Sequence, residues 1–274
     1  MKKILYSVAL AACCMGTMTS CSDFLDASNK SNVTAKQSFA TKEGLNNLVN
    51  DAYQHLQNVY AAPLFTSCFS AGTDMYADAR NKMNEALNTY ETLTPENSDI
   101  KNLYTYLYSG IRAANSVSYY AQTAQVDDKT KSQLIGEARV LAAYEYYLLV
   151  NNFGGVPIMK DFLTTADTGY PKSSPEDVYA YIISELEDVI SKNVLQASTA
   201  TKGGGRISQE TAKAILAKTY LSAAWDLNKQ DYFSKAAALA DEVIAGRKLT
   251  TPLPTIYWCY KQHKKKPSKQ MQDY

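Results

Sequence analysis

The sequence predicts an all-α protein built of tetratricopeptide-like helical hairpins joined by long irregular loops. Three observations carry that prediction. Apolar residues recur at helical spacing in six separate stretches, no run alternates in the manner of a β-strand, and the last two helical stretches pair like one tetratricopeptide unit.

The first stretch is 45–60, where Leu45, Leu48, Val49, Ala52, Tyr53, Leu56, Val59 and Tyr60 draw one stripe and Thr41 or Ser38 stands ready to cap it. Residues 66–98 have no stripe and are rich in Asn, Asp, Ser and Thr, which predicts a long excursion without regular structure. Helical period returns over 99–122, capped by Asn97 or Ser98, and again over 128–152, where Gly154, Gly155 and Pro157 stop it. Ser174-Pro175-Glu176-Asp177 combines a cap, a proline at the first helical position and acidic residues in the first turn, so a helix starts there. After the linker Gly203-Gly204-Gly205, Ser208 opens another helix, and a last one runs from Tyr232 to Ala245, ending at Gly246. In that final pair Leu216, Ala217 and Tyr220 face Ala236, Ala240 and Val243, with an inter-helix loop about seven residues longer than a standard repeat would allow. Stacked hairpins hide their apolar faces against one another and present an extended surface, which favours binding over catalysis.

The chain has 274 residues with 28 Lys and Arg against 27 Asp and Glu, a balance that argues against a nucleic-acid binder. Five lysines and only Asp273 fall in 255–274, so the tail is compositionally foreign to the body. The only histidines are His55 and His263, with no partner at metal-ligand spacing; no metal and no cofactor is expected. Cys68 reads as a small buried residue rather than a nucleophile. The 21 tyrosines could be sugar platforms, but in a helical protein most should be core or half-buried positions.

Residues 1–20 read as an export signal. Lys2 and Lys3 form a basic start, residues 4–15 are apolar but too short to span a bilayer, and Met18-Thr19-Ser20-Cys21 looks like a lipobox. Cys21 would then be lipidated and begin the mature chain, whose stable anchoring takes two or more acyl chains. The alternative is an ordinary secretory signal cleaved near a cysteine.

Five segments in order resemble the SusD/RagB family of nutrient-binding outer-membrane lipoproteins. They are Cys21-Ser22-Asp23-Phe24-Leu25-Asp26, residues 99–120 (DIKNLYTYLYSGIRAANSVSYY), residues 136–157 (GEARVLAAYEYYLLVNNFGGVP), residues 170–187, and residues 205–220 (GRISQETAKAILAKTY). The resemblance implies a non-catalytic surface protein that binds oligosaccharides and sits over a SusC-like TonB-dependent transporter. It implies a lipid-anchored place in the outer membrane, facing the exterior. Family members are longer; the likeness fades near Pro252, so the expectation is a helical domain over 21–253 and, over 254–274, a divergent basic tail outside the fold, as an out-of-frame reading of a longer gene would give.

The residue types that sugar recognition needs, an aromatic face beside hydrogen-bonding groups, stand together on the 66–98 excursion at Asp74, Tyr76, Arg80 and Asn81. Their bland reading is a solvated loop. Tyr104 and Tyr108 share a helix face while Tyr106 points away, which suits core packing. For a hydrolase, Glu137 and Glu145 are about 12 Å apart by helical rise, beyond the roughly 5–9.5 Å of glycosidase pairs. Glu185 and Asp188 lie off the apolar stripe, on what reads as a solvated face. Gly203-Gly204-Gly205-Arg206 lacks the Lys-Ser or Lys-Thr of a phosphate loop. The rival functions are a protein-binding scaffold and, less favoured, a lipid-anchored glycoside hydrolase.

Overall fold

Helix after helix is set where the sequence supplies a cap. The computed structural model describes residues 35–61, 64–74, 85–165, 169–197 and 205–245. Residues 1–20, read above as an export signal, Cys21 and residues 254–274 lie outside the described residues. The chain divides into two units, 1–38 and 39–274. In the first, the described residues form α1 (Ala35–Ser38).

The second unit holds α2 (Lys42–Tyr60), α3 (Leu64–Phe69), α4 (Glu85–Thr89), α5 (Ser98–Ala121), α6 (Asp128–Phe153), α7 (Pro175–Lys192), α8 (Gln209–Asp226) and α9 (Gln230–Ala245). Thr41 caps α2 by accepting from Gly44 N at 3.1 Å, and Asn97 caps α5 by accepting from Asp99 N and Ile100 N. Asp127 does the same for α6 through Thr130 N. Ser174 and Asp177 form a full capping box on α7, with Pro175 at its first position. These side chains satisfy amides that the first helical turn leaves without partners.

Successive long helices run antiparallel. Tyr104 meets Phe153 and Gly110 meets Glu145 across α5 and α6; Arg139 meets Glu185 across α6 and α7; Tyr179 meets Asp226 across α7 and α8; Trp225 meets Phe233 across α8 and α9. The seam they share buries Leu45, Leu107, Ile111, Leu149, Ile182 and Leu186 almost completely, each such side chain contributing about 1.5–3 kcal/mol. Tyr146, Tyr179 and Tyr220 are core residues, and Tyr104 packs at a tilt against Tyr108 while Tyr106 stays exposed. The hairpin α8–α9 buries one α9 residue, Ala236, and leaves Leu221, Trp225 and Ile244 exposed.

Two expectations are corrected. The 66–98 excursion contains short helices, α3 and α4, because Leu64, Ser67 and Leu87 are drawn into the core. The extra residues of the last hairpin are not in a loop: Leu227, Asn228 and Lys229 alone separate α8 from α9, and the excess lengthens the helices. No strand occurs among the described residues.

Candidate functional site

The motif that ends α6 routes the chain into a surface cleft. Gly154 closes the helix at φ 69°, ψ −129°, a conformation costly to any residue with a Cβ. A Cβ on Gly155 would lie 2.2 Å from Ser173 O, so only glycine lets these two stretches meet. Ser173 N then donates to Val156 O. Tyr108 OH donates to Pro157 O at 2.7 Å, Met159 N donates to Tyr146 OH at 2.7 Å, and Asn115 Nδ2 donates to Met159 O at 2.9 Å. Burial pushes the Tyr108 and Tyr146 hydroxyls up, so they remain protonated donors. Residues 156–161 are thereby laid along α5.

This pinned strip carries Asp161, Leu163, Thr164 and Thr165 to a cleft of about 370 Å³, completed by Ile111, Arg112, Asn115 and Met159. The Arg112 guanidinium lies 5.3 Å over the Phe162 ring. Phe162 is also 5.3 Å from Tyr119 and 5.8 Å from Tyr120, and Phe39 packs on Tyr120 at 4.8 Å. Tyr119 is 43% exposed. Neither Arg112 nor Asp161 forms an ion pair among the described residues, and both are exposed. A guanidinium, a carboxylate and hydroxyls in one concavity, with aromatic faces beside it where Arg112 lies over Phe162, suit a ligand with hydroxyl edges and C–H faces.

Of the residues expected to bind ligand, Asp74 is exposed and does not line this cleft. Tyr76, Arg80 and Asn81 lie outside the described residues. Reasoning from sequence missed Arg112 and Asn115, although both fall in the quoted 99–120 segment, and missed Phe162. An aromatic residue between Asp161 and a Thr pair just after a helix-stopping Gly-Gly-x-Pro was the available signal.

The carboxylates weighed for acid–base work have other tasks. Glu185 and Asp188 both accept from Arg139, at 2.6 and 2.5 Å, riveting α7 to α6; Lys192 and Arg139 hold the Asp188 carboxyl below its usual range. Glu137, 1% exposed, pairs with Arg206 at 2.8 Å; burial raises its pKa and Arg206 opposes that. Arg206 also donates to Asn46 and Asn50, and Ile207 N donates to Tyr53 OH, so the residues that follow the glycine run clamp onto α2, while Gly203 and Gly204 lie outside the described residues. Glu145 is fully buried, and burial lifts its pKa well above the carboxylate range. Burial pushes the Cys68 thiol up to about 11, which makes it a poor nucleophile. Among the described residues no group of His, Cys, Asp and Glu could hold a metal ion, and no helix is long and apolar enough to cross a membrane.

Comparison with known proteins places this fold. A SusD-like family, described as "Starch-binding associating with outer membrane", matches residues 23–221. A SusD-like protein of Formosa agariphila is 28% identical over 190 residues, 68% of this chain and 36% of the relative; one from Bacteroides ovatus is 29% identical over 134 residues, 47% and 24% respectively. Among solved structures, a SusD homolog from Bacteroides thetaiotaomicron superposes with a TM-score of 0.67 at 22% identity, covering 82% of this chain and 44% of that one. Surface glycan-binding protein A from Bacteroides uniformis gives 0.62 at 25% identity, covering 74% and 46%. The chain thus spans less than half the length of each of these relatives. With most of its helical body inside the matched region, the chain belongs to the SusD-like family.

Proposed function

We propose that this protein captures a nutrient glycan at the cell surface, without making or breaking bonds, and delivers it to a SusC-like TonB-dependent transporter. The observation that carries the reading is the cleft at Arg112: a guanidinium held on α5 meets the carboxylate and threonine hydroxyls that the pinned strip delivers, with the Phe162 and Tyr119 rings beside it, a site built for recognition. Family membership adds to it, as do relatives described as surface glycan-binding and laminarin-binding. In this reading Cys21 carries the acyl anchor at the outer face of the outer membrane, and Asp74, Tyr76, Arg80 and Asn81 add ligand contacts from the preceding loop.

Affinity electrophoresis in gels containing starch or laminarin, followed by calorimetry on the polysaccharide that retards the protein, tests the binding. Phe162→Ala and Arg112→Ala should each weaken it by about tenfold or more. Equal retardation of wild type and the double variant would place the ligand elsewhere. Labelled palmitate should enter the wild type and not Cys21→Ala. Capture from outer-membrane extracts should yield a barrel transporter; a periplasmic protein in its place would favour a scaffold, and released sugar products would favour a hydrolase.

A further inference from the structure

The cleft beside α5 has a neighbour. On the other side of Arg112 a second hollow of about 310 Å³ is lined by Phe39, Asp51, His55, Ser109, Tyr120 and Phe162, and Arg112 belongs to both. Binding sites for small molecules run from roughly 300 to 1,000 Å³. Each hollow alone stands at the bottom of that range, and the two joined fall well inside it.

Resting on the glycan-binding reading, we infer that the two hollows are successive subsites of one groove for an uncharged oligosaccharide, whose chain crosses at Arg112 and Phe162. The charges decide the class. The first hollow offers Asp161 and the second Asp51, with Arg112 common to both. The other charge-bearing group is His55, whose Nε2 is 3.9 Å from the Asp51 carboxylate. Nearby cations face elsewhere: Lys160 lies 5.7 Å over the Tyr181 ring, and Arg139 is bound to Glu185 and Asp188. A uronate or sulfated sugar would meet two carboxylates for one guanidinium. Neutral hydroxyls can use all three, accepting from Arg112 and donating to Asp51 and Asp161, and charge-assisted hydrogen bonds of that kind are the stronger ones. Tyr119, exposed beside Phe162, and Tyr120 supply faces for ring C–H groups.

The test uses the purified protein on an array of neutral, uronate-bearing and sulfated oligosaccharides, then calorimetry with a length series of the sugar retained. Neutral sugars should be retained, with affinity rising at least about tenfold from one unit to the length that fills both hollows. Asp51→Asn and Asp161→Asn, both at exposed positions, should each weaken the longer oligomer by about tenfold. Retention of acidic sugars alone, affinity independent of length, or variants indistinguishable from wild type would overturn the inference while leaving glycan binding standing. If no sugar is retained at all, the glycan-binding reading itself falls.

Discussion

Replacing Glu145 with Gln should remove a defined slope from the dependence of stability on pH. The Glu145 side chain is 0% exposed, and neither carboxyl oxygen has a hydrogen-bond partner among the described residues. It fits because position 110 is glycine: a Cβ there would lie 1.7 Å from Oε1. Burial alone lifts its pKa well above the ordinary 4.5, since a carboxylate at this place would lose its hydration with nothing in return. In the unfolded chain the group ionises in the usual range. Between those two values the folded state holds one proton more than the unfolded state, so stability falls as pH rises, by about 1.4 kcal/mol per unit. Below the ordinary carboxylate range both states are protonated and the contribution is complete. From pH 5 to pH 7 the loss reaches at most about 2.7 kcal/mol. Glutamine keeps the size of the group and does not titrate. The raised Glu137 is present in both proteins and cancels in the difference. Urea unfolding at pH 5, 6 and 7 should therefore show Glu145→Gln gaining on wild type by up to about 1.4 kcal/mol per unit. Parallel curves would refute the assignment of a neutral buried acid.

Arg206→Ala should destabilise the protein by about 2–4 kcal/mol, somewhat under the cost of breaking a fully buried pair because Arg206 is 25% exposed while Glu137 is 1% exposed. Thermal unfolding followed by circular dichroism reads this, and a loss under about 1 kcal/mol would mean the clamp adds nothing beyond a surface contact. Gly154→Ala should cost about 1–3 kcal/mol through backbone strain alone, since no atom lies within 4 Å of the added Cβ. A neutral outcome in denaturant titration would show that the chain can leave α6 by another path.

The helices were legible because each is announced by groups that act within a few residues of themselves. Thr41, Asn97 and Ser174 are caps whose partners lie two or three positions on, and the stripe of Leu45, Val49 and Ala52 is fixed by period alone. What stayed hidden depends on distance in sequence. Arg206 looks like part of a flexible glycine-rich stretch until it is seen 156 and 160 positions away from Asn50 and Asn46, which accept from it. Arg112 and Phe162 lie fifty positions apart, and nothing local to either announces the cleft they share. Short α3 and α4 were missed because tertiary burial of Leu64 and Leu87, rather than a periodic stripe, holds them.

The residues that pin the strip and those that ride on it belong to different parts of the construction, although Asn115 both pins it and lines the cleft. Gly154, Gly155, Tyr108, Asn115 and Tyr146 act on backbone atoms of residues 154–161 and 173, or on the space those atoms need, so they fix where the strip runs whatever side chains it bears. Asp161, Phe162, Thr164 and Thr165 ride on that strip with their side chains outside the pinning bonds. Changing them leaves the hydrogen bonds that place the strip intact, since those bonds use main-chain groups. On the proposed glycan-binding reading, recognition can therefore be retuned along 161–165, and at Asp51 and Tyr119 beside it, without loosening the helical body, whereas a change at Asn115 or Tyr108 would displace the whole strip at once. The separation between a fixed backbone path and the side chains it displays is built here from a helix-stopping glycine pair and hydrogen bonds made by three side chains, Tyr108, Asn115 and Tyr146.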